Sequence, residues 1–336
     1  MMAFKQNTKL TATEIAQLWS AYMNSSMCKC IFTSFLATVE DSEIKEIISL
    51  GLETANSHQK KLISIFKNES FPIPYGFKVA DDVNVDAPRL FSDSFMLYFS
   101  YNMGIIAFNF YSLSKTLSVR SDINEYFSNC VQELDQFDTM TKNVLLSKGL
   151  FIRSPYLNPK KEVDFVNNKK FMAGWFGDKR PLTVIEITNL FTNQQRNALG
   201  KSTMMGFSQV AHSKKVGKFM VRGREISAKH VEILGTVLGE NHLPIPMTWD
   251  SEVTDSKISP FSDKLMMFMT TTLIGLSIGF YGTSAATSMR RDISLDFVRL
   301  SAEIAKYAEE GANIMIENGW LEEPPLSEDR DKLANT

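Results

Sequence analysis

The side chains best suited to acid–base or metal chemistry near neutral pH are histidines, and this chain of 336 residues has four: His58, His212, His230 and His242. A helical bundle that holds two metal ions takes one Glu from each of two helices and Glu-x-x-His from each of the others. No Glu-x-x-His occurs here. The nearest upstream acids, Glu53 and Glu225, precede His58 and His230 by five residues, which turns them roughly 140° around a helix. They are poorly placed to share an ion with those histidines. No cofactor is therefore expected, although a single weakly bound metal at His58 or His230 stays open as an alternative.

Those two histidines sit at matching places in an internal repeat, and so do Glu133 and Glu303, Lys29 and Lys201, and Arg120 and Arg290. Each histidine falls on the apolar stripe of its helix, and each of the two glutamates falls at the edge of another. A buried histidine needs a hydrogen-bond partner, and a carboxylate on a facing helix is a natural one. The reading is one structural pair per copy, His58 with Glu133 and His230 with Glu303. A proton-linked switch is the second alternative. The three cysteines, Cys28, Cys30 and Cys130, are odd in number and have no counterparts in the other copy. They read as free thiols in a reducing cytoplasm, not as a zinc site.

The repeat sets the architecture that must position these residues. Leu10-Thr11-Ala12-Thr13-Glu14-Ile15 aligns with Leu182-Thr183-Val184-Ile185-Glu186-Ile187 at an offset of 172, which holds through Pro72-Ile73-Pro74 and Pro244-Ile245-Pro246. The offset then becomes 170, and pairs Phe91-Ser92-Asp93 with Phe261-Ser262-Asp263, Asp122 with Asp292, and Gly149 with Gly319. Each copy reads as four helices. The first opens on a capping box, Thr11-x-x-Glu14 or Thr183-x-x-Glu186, in which Glu14 and Glu186 act as caps. The second carries Ile44, Ile48, Gly51, Ala55, His58, Leu62 and Ile65 on one stripe and is expected to stop at the alternating prolines. The third starts at Ser92 or Ser262 behind a staple of Phe91 with Met96, or Phe261 with Met266. The fourth ends at Gly149 or Gly319.

Tight turns within the first and last helix pairs make each pair an antiparallel hairpin. The middle connection, about 20 residues of extended chain at ~3.1 Å each, is long enough to cross a ~40 Å helix. The expected fold is all-α: two tandem ferritin-like four-helix bundles, each with a long crossover between its second and third helices. The expected limits are 8–150 for the first bundle, 151–180 for a basic-aromatic linker, 181–322 for the second bundle, and 323–336 for a charged, mobile tail. In the linker, Lys160, Lys161, Lys169, Lys170, Lys179 and Arg180 surround Phe165, Phe171, Trp175 and Phe176. The aromatics are expected to pack back on the bundles; Trp175 and Phe176 are the candidate partner surface if they are exposed.

The third helices are long and uncharged, and Gly275-x-x-x-Gly279 has the spacing of packed membrane helices. Their Ser, Thr, Asn and Tyr content and their charged companions point instead to bundle helices, with the glycines allowing close helix contact and with no membrane span. Apolar residues make up 44% and the net charge is −2, with no basic excess of the kind a nucleic-acid binder shows.

The opening Leu-Thr-x-x-Glu-Ile, the Phe71-Pro72-Ile73-Pro74 loop, Ala87-Pro88-Arg89-Leu90-Phe91-Ser92-Asp93, Pro246-Met247-Thr248-Trp249-Asp250-Ser251 and Met289-Arg290-Arg291-Asp292 resemble domain-of-unknown-function family 3231, typically duplicated, in spore-forming bacteria. The resemblance covers nearly the whole chain. It implies a ferritin-like fold similar to that of spore-coat F-type proteins and brings no established reaction or catalytic residue. The expected function is a cytoplasmic structural or interaction protein, tied to sporulation and not an enzyme, acting on a protein partner or on itself. The alternatives are a metal-binding or redox bundle and a carrier of an apolar ligand in the Met- and Phe-rich interior.

Overall fold

The computed structural model describes residues 8–158, 162–174 and 179–334. Its long helices come in two matching sets. The first set is α1 (Ala12–Thr38), α2 (Ser42–Asn68), α4 (Asp93–Leu117) and α5 (Ser121–Ser147), with a short α3 (Val79–Asp82) in the crossover. The second is α6 (Val184–Val210), α7 (Lys214–Glu240), α8 (Asp263–Thr287) and α9 (Arg291–Glu317), followed by a short α10 (Arg330–Ala334) in the tail. Among the described residues there are no strands, only an isolated bridge between Phe91 and Val253. The chain is all-α and built as two tandem helical bundles, in an element order compatible with the ferritin-like arrangement.

Local chemistry explains the helix ends. Thr11 and Thr183 cap α1 and α6 through complete capping boxes with Glu14 and Glu186. Those two carboxylates do more than cap. Glu14 also accepts the backbone N–H groups of Val119 and Arg120 at 3.1 and 2.9 Å, tying the start of α1 to the α4–α5 turn. Glu186 accepts Arg290 N–H at 2.8 Å, and both of its oxygens take guanidinium hydrogen bonds from Arg180. At the far ends of α5 and α9, Gly149 and Gly319 take φ +68° and +66°. The N–H groups of Leu150 and Trp320 return to the carbonyls of Leu145 and Met315, both at 2.8 Å, closing two Schellman stops.

The proline loops do not by themselves stop α2 and α7. Ser70 and His242 adopt φ +54° and +57°, and Phe71 and Leu243 donate back to Phe66 and Leu238 at 2.9 and 3.0 Å. The same stop that glycine makes elsewhere is made here by a serine and a histidine, a conformation non-glycine residues rarely adopt. The expected role of Gly275 and Gly279 also fails. A Cβ on either would meet nothing within 4 Å, so these glycines admit no neighbouring helix. The α8 helix is nevertheless long and apolar enough to cross a membrane by length and composition.

The chain forms two compact units, whose limits do not follow the two copies. Unit 1 comprises Met1–Val83, Ser100–Val144 and Leu321–Thr336; unit 2 comprises Asn84–Phe99 and Leu145–Trp320. In unit 1, α1 pairs with α2, and Leu18, Tyr22, Leu62, Phe66, Ile123 and Phe127 close the core. The tail contributes Glu322, whose carboxylate accepts the N–H groups of Tyr75 and Gly76 at 2.8 and 2.9 Å. Gly76 must be glycine there: φ is +58° and a Cβ would lie 2.6 Å from Ser26 Oγ.

In unit 2, α6 packs along α7 and α8 along α9, while α6 also meets α8 and α7 meets α9. The segment Asn84–Phe99, which comes from the first copy, is built into this unit. Phe91 lies edge-on to Phe207 at 6.4 Å, Tyr98 stacks on Trp249 at 4.4 Å, and Thr254 N–H donates to Leu90 carbonyl at 3.0 Å. Gly206 leaves room for Phe91; a Cβ there would sit 2.7 Å from the ring.

Candidate functional site

The arrangement at the centre of each unit draws one polar side chain from each of four helices. In unit 1, His58 on α2 is buried, and its Nε2 lies 2.6 Å from Glu133 Oε2 on α5. Its Nδ1 lies 3.2 Å from the Tyr111 hydroxyl on α4, which in turn is 3.3 Å from Ser25 Oγ on α1. An ionised carboxylate can only accept, so Nε2–H donates to Glu133. In the tautomer that leaves Nδ1 without a proton, the ring accepts there from Tyr111, and Ser25 donates to the tyrosine oxygen. In that tautomer the hydrogen bonds run from the core to a half-exposed carboxylate.

Unit 2 repeats this with changed ends. Asn197 Nδ2 on α6 donates to the Tyr281 hydroxyl on α8 at 2.7 Å, and that hydroxyl is 2.9 Å from His230 Nδ1 on α7. His230 Nε2 is 3.3 Å from Glu303 on α9, and Lys229 donates to both Glu303 oxygens at 2.9 Å. Tyr111 and Tyr281 fall at the repeat's own offset, as do Ser25 and Asn197. These four were not among the residues singled out from sequence. A tyrosine in an apolar helix reads as core, and only its recurrence beside a recurring histidine could have marked it.

Burial raises Tyr111 and Tyr281 far above the usual phenol range, so both hydroxyls stay protonated. Burial lowers His230, against the opposing pull of Glu303. For Glu303 burial works upward, but hydrogen bonds from Lys229 and His230 outweigh it and hold the carboxyl below its usual range. Burial pushes the Cys130 thiol up to about 12, which leaves it a poor nucleophile. Beside it the Tyr126 hydroxyl is buried without an oxygen or nitrogen partner. All three cysteines are free thiols.

Other repeated polar residues are engaged away from the histidines. Arg120 bonds Asp122 and Glu69, the fully buried Arg290 bonds Asp292 through two nitrogens, and Lys201 pairs with Asp250. Lys29 reaches Gln59 at 3.4 Å. Among the described residues no three His, Cys, Asp or Glu side chains gather as a metal ion requires. His212 is exposed near Asp263, and His242 serves as the helix stop. Trp175 and Phe176 lie outside the described residues. Of the other linker aromatics, Phe171 stacks under Arg180 at 4.0 Å, but Phe165 stands 83% exposed instead of packing back.

The network is a structural tie with a pH signature. Replacing His230 by Leu is expected to cost about 1–2 kcal/mol, because Tyr281 loses its acceptor while Glu303 keeps Lys229. An unfolded chain protonates this histidine near the ordinary value of 6.5, the folded chain only at lower pH. Its contribution is therefore complete above pH 6.5 and fades as pH falls toward the folded value. Urea unfolding at pH 7.5 and 5.5 should show a smaller acid loss in His230→Leu than in the parent chain; an equal loss in both contradicts the assignment.

The sequence profile of the family described as Protein of unknown function (DUF3231) matches residues 1–163 and again residues 170–333. No curated protein matches the chain. A crystal structure of a protein provisionally named as a spore coat protein, from Bacillus halodurans C-125, is similar at 16% identity and a TM-score of 0.42, covering 45% of this chain and 98% of that one.

Proposed function

The chain belongs to the DUF3231 family over both of its copies, and from that premise we propose that it is a non-enzymatic structural or interaction protein that acts through its surface. Membership brings no reaction with it, so the reading rests on where the repeated polar residues go. One observation carries it: in both units the histidine, tyrosine and glutamate join the Ser or Asn of a fourth helix in a chain of hydrogen bonds that ties helices together. An active site leaves polar groups converging on a reacting atom. Here the repeated groups are taken up in holding the bundles. Two linked modules also raise the effective concentration for a repetitive partner, which suits a binding role. A cytoplasmic setting and an association with sporulation, both expected from sequence and resemblance, belong to the same proposal. In a spore-forming host the protein should accumulate after sporulation begins.

Elemental analysis of the purified full-length chain tests the reading against its main rival. Iron, manganese and zinc are expected far below one ion per bundle. About two iron or manganese ions per bundle, released when His58 and His230 are replaced, would overturn the proposal in favour of a redox bundle.

A further inference from the structure

Between the copies runs a segment that is tied to unit 2 near Ile152 and near Phe171, and that carries exposed apolar side chains among its described residues between those ties. At one end the Gln195 side-chain amide donates to the Ile152 carbonyl at 3.3 Å. At the other, Arg180 stacks on Phe171 and donates to its carbonyl at 2.7 Å. Gly174 passes so close to Asp292 that a Cβ would lie 2.2 Å from the carboxylate oxygen. Between these anchors Tyr156, Val163, Phe165 and Val166 are exposed at 86%, 88%, 83% and 62%. Exposed apolar side chains of this size, gathered in one stretch, mark a contact site.

The loop is also set apart by charge. From Phe151 to Arg180 the sequence has seven Lys or Arg against three Asp or Glu, a net +4 in a chain whose total is −2. The partner must therefore be anionic and must accept apolar side chains. Shape narrows it further. Residues 151–158 and 162–168 form neither helix nor strand, so Val163, Phe165 and Val166 are not set on a regular face that a folded protein's groove could match. A lipid interface takes apolar groups at any spacing and lets irregular backbone stay hydrated among the headgroups. Apolar insertion and basic charge are the two signals that peripheral membrane attachment needs together.

We infer that this loop docks the protein on an anionic lipid bilayer, with Val163, Phe165 and Val166 entering the interface and Arg153, Lys169 and Lys170 against the headgroups. The inference rests on the interaction-protein reading and names its partner. The test uses the full-length chain in co-sedimentation with phosphatidylcholine vesicles, with and without phosphatidylglycerol. Binding is expected on the anionic vesicles, with loss at high salt. Val163→Ser/Phe165→Ser/Val166→Ser should weaken it at least about ten-fold, and Lys169→Gln/Lys170→Gln about ten-fold. All these side chains are exposed, so thermal unfolding of the variants should match the parent. Equal binding to neutral vesicles, no binding to anionic ones, or binding unchanged in the triple serine variant overturns the inference, as does salt-sensitive binding to an acidic protein without vesicle binding. A chain free of metal that ignores vesicles loses this inference and keeps the interaction reading. Metal in the bundles removes that reading whatever the vesicles do.

Discussion

Glu186→Gln is expected to destabilise the protein by about 3 kcal/mol and to abolish a distinct step in its acid unfolding. The carboxylate is fully buried, which alone would raise it. Hydrogen bonds from Arg180 and from the backbone of Thr183 and Arg290 outweigh burial and bring it down to about 2, from an ordinary 4.5. At ~1.4 kcal/mol per pH unit, that gap corresponds to about 3 kcal/mol. Because the folded value is the lower one, the contribution is whole above pH 4.5 and disappears as pH falls toward 2. The neutral amide removes one acceptor and leaves the part-buried Arg180 without its counter-charge. Glu14→Gln should cost less, since Thr8 stands at the position of Arg180 in the first copy. Urea titrations of both variants at pH 7 decide the matter. A loss below about 1 kcal/mol for Glu186→Gln, or an equal loss for the two, removes the argument.

The second copy produced alone, as residues 164–336, should fail to fold cooperatively. That piece lacks Asn84–Phe99, which belongs to unit 2 and buries Leu90, Phe91, Phe95, Met96, Tyr98 and Phe99. At roughly 1.5–3 kcal/mol per large apolar side chain, six such losses amount to something on the order of 10 kcal/mol. The net stability of a domain is about 5–15 kcal/mol, so the deficit is comparable with the whole. Phe207 and Trp249, left without Phe91 and Tyr98, would face water. Far-UV circular dichroism, dye binding and urea unfolding of the half-chain are the measurements. A monomer with one sharp transition close to that of the intact protein would show that the segment is dispensable.

Features governed by near neighbours were open to sequence reasoning. The capping boxes at Thr11 and Thr183, the serine caps before α4 and α8, and the glycine stops after α5 and α9 each follow from a few adjacent residue types. The histidine and glutamate of each network recur at the repeat's offsets, which was enough to suggest that they pair. What escaped was set by distant partners. Whether Glu186 is a cap alone or also a guanidinium site depends on Arg180 folding back. Whether Phe165 packs or projects depends on where the linker is anchored. Prolines drew attention as helix stops, while nothing in the residue types of Ser70 and His242 marks them as the positions where the backbone reverses. Gly275 and Gly279 had the spacing of a contact, but spacing does not say whether a neighbour is present.

The hydrogen bonds that join Ser25, Tyr111, His58 and Glu133 have a bearing on how the four helices are aligned along their length. Apolar stripes repeat from turn to turn and fix the level of one helix against the next only loosely. A hydrogen bond fixes it sharply. Sliding α2 by one turn would carry His58 about 5.4 Å along the axis and out of reach of both Tyr111 and Glu133, leaving a buried imidazole unpaired. The four side chains thus work as a pin driven through the helices at one height. The second bundle keeps the pin with Asn197 in place of the serine, so the two halves can diverge in surface and sequence while each holds its helices level.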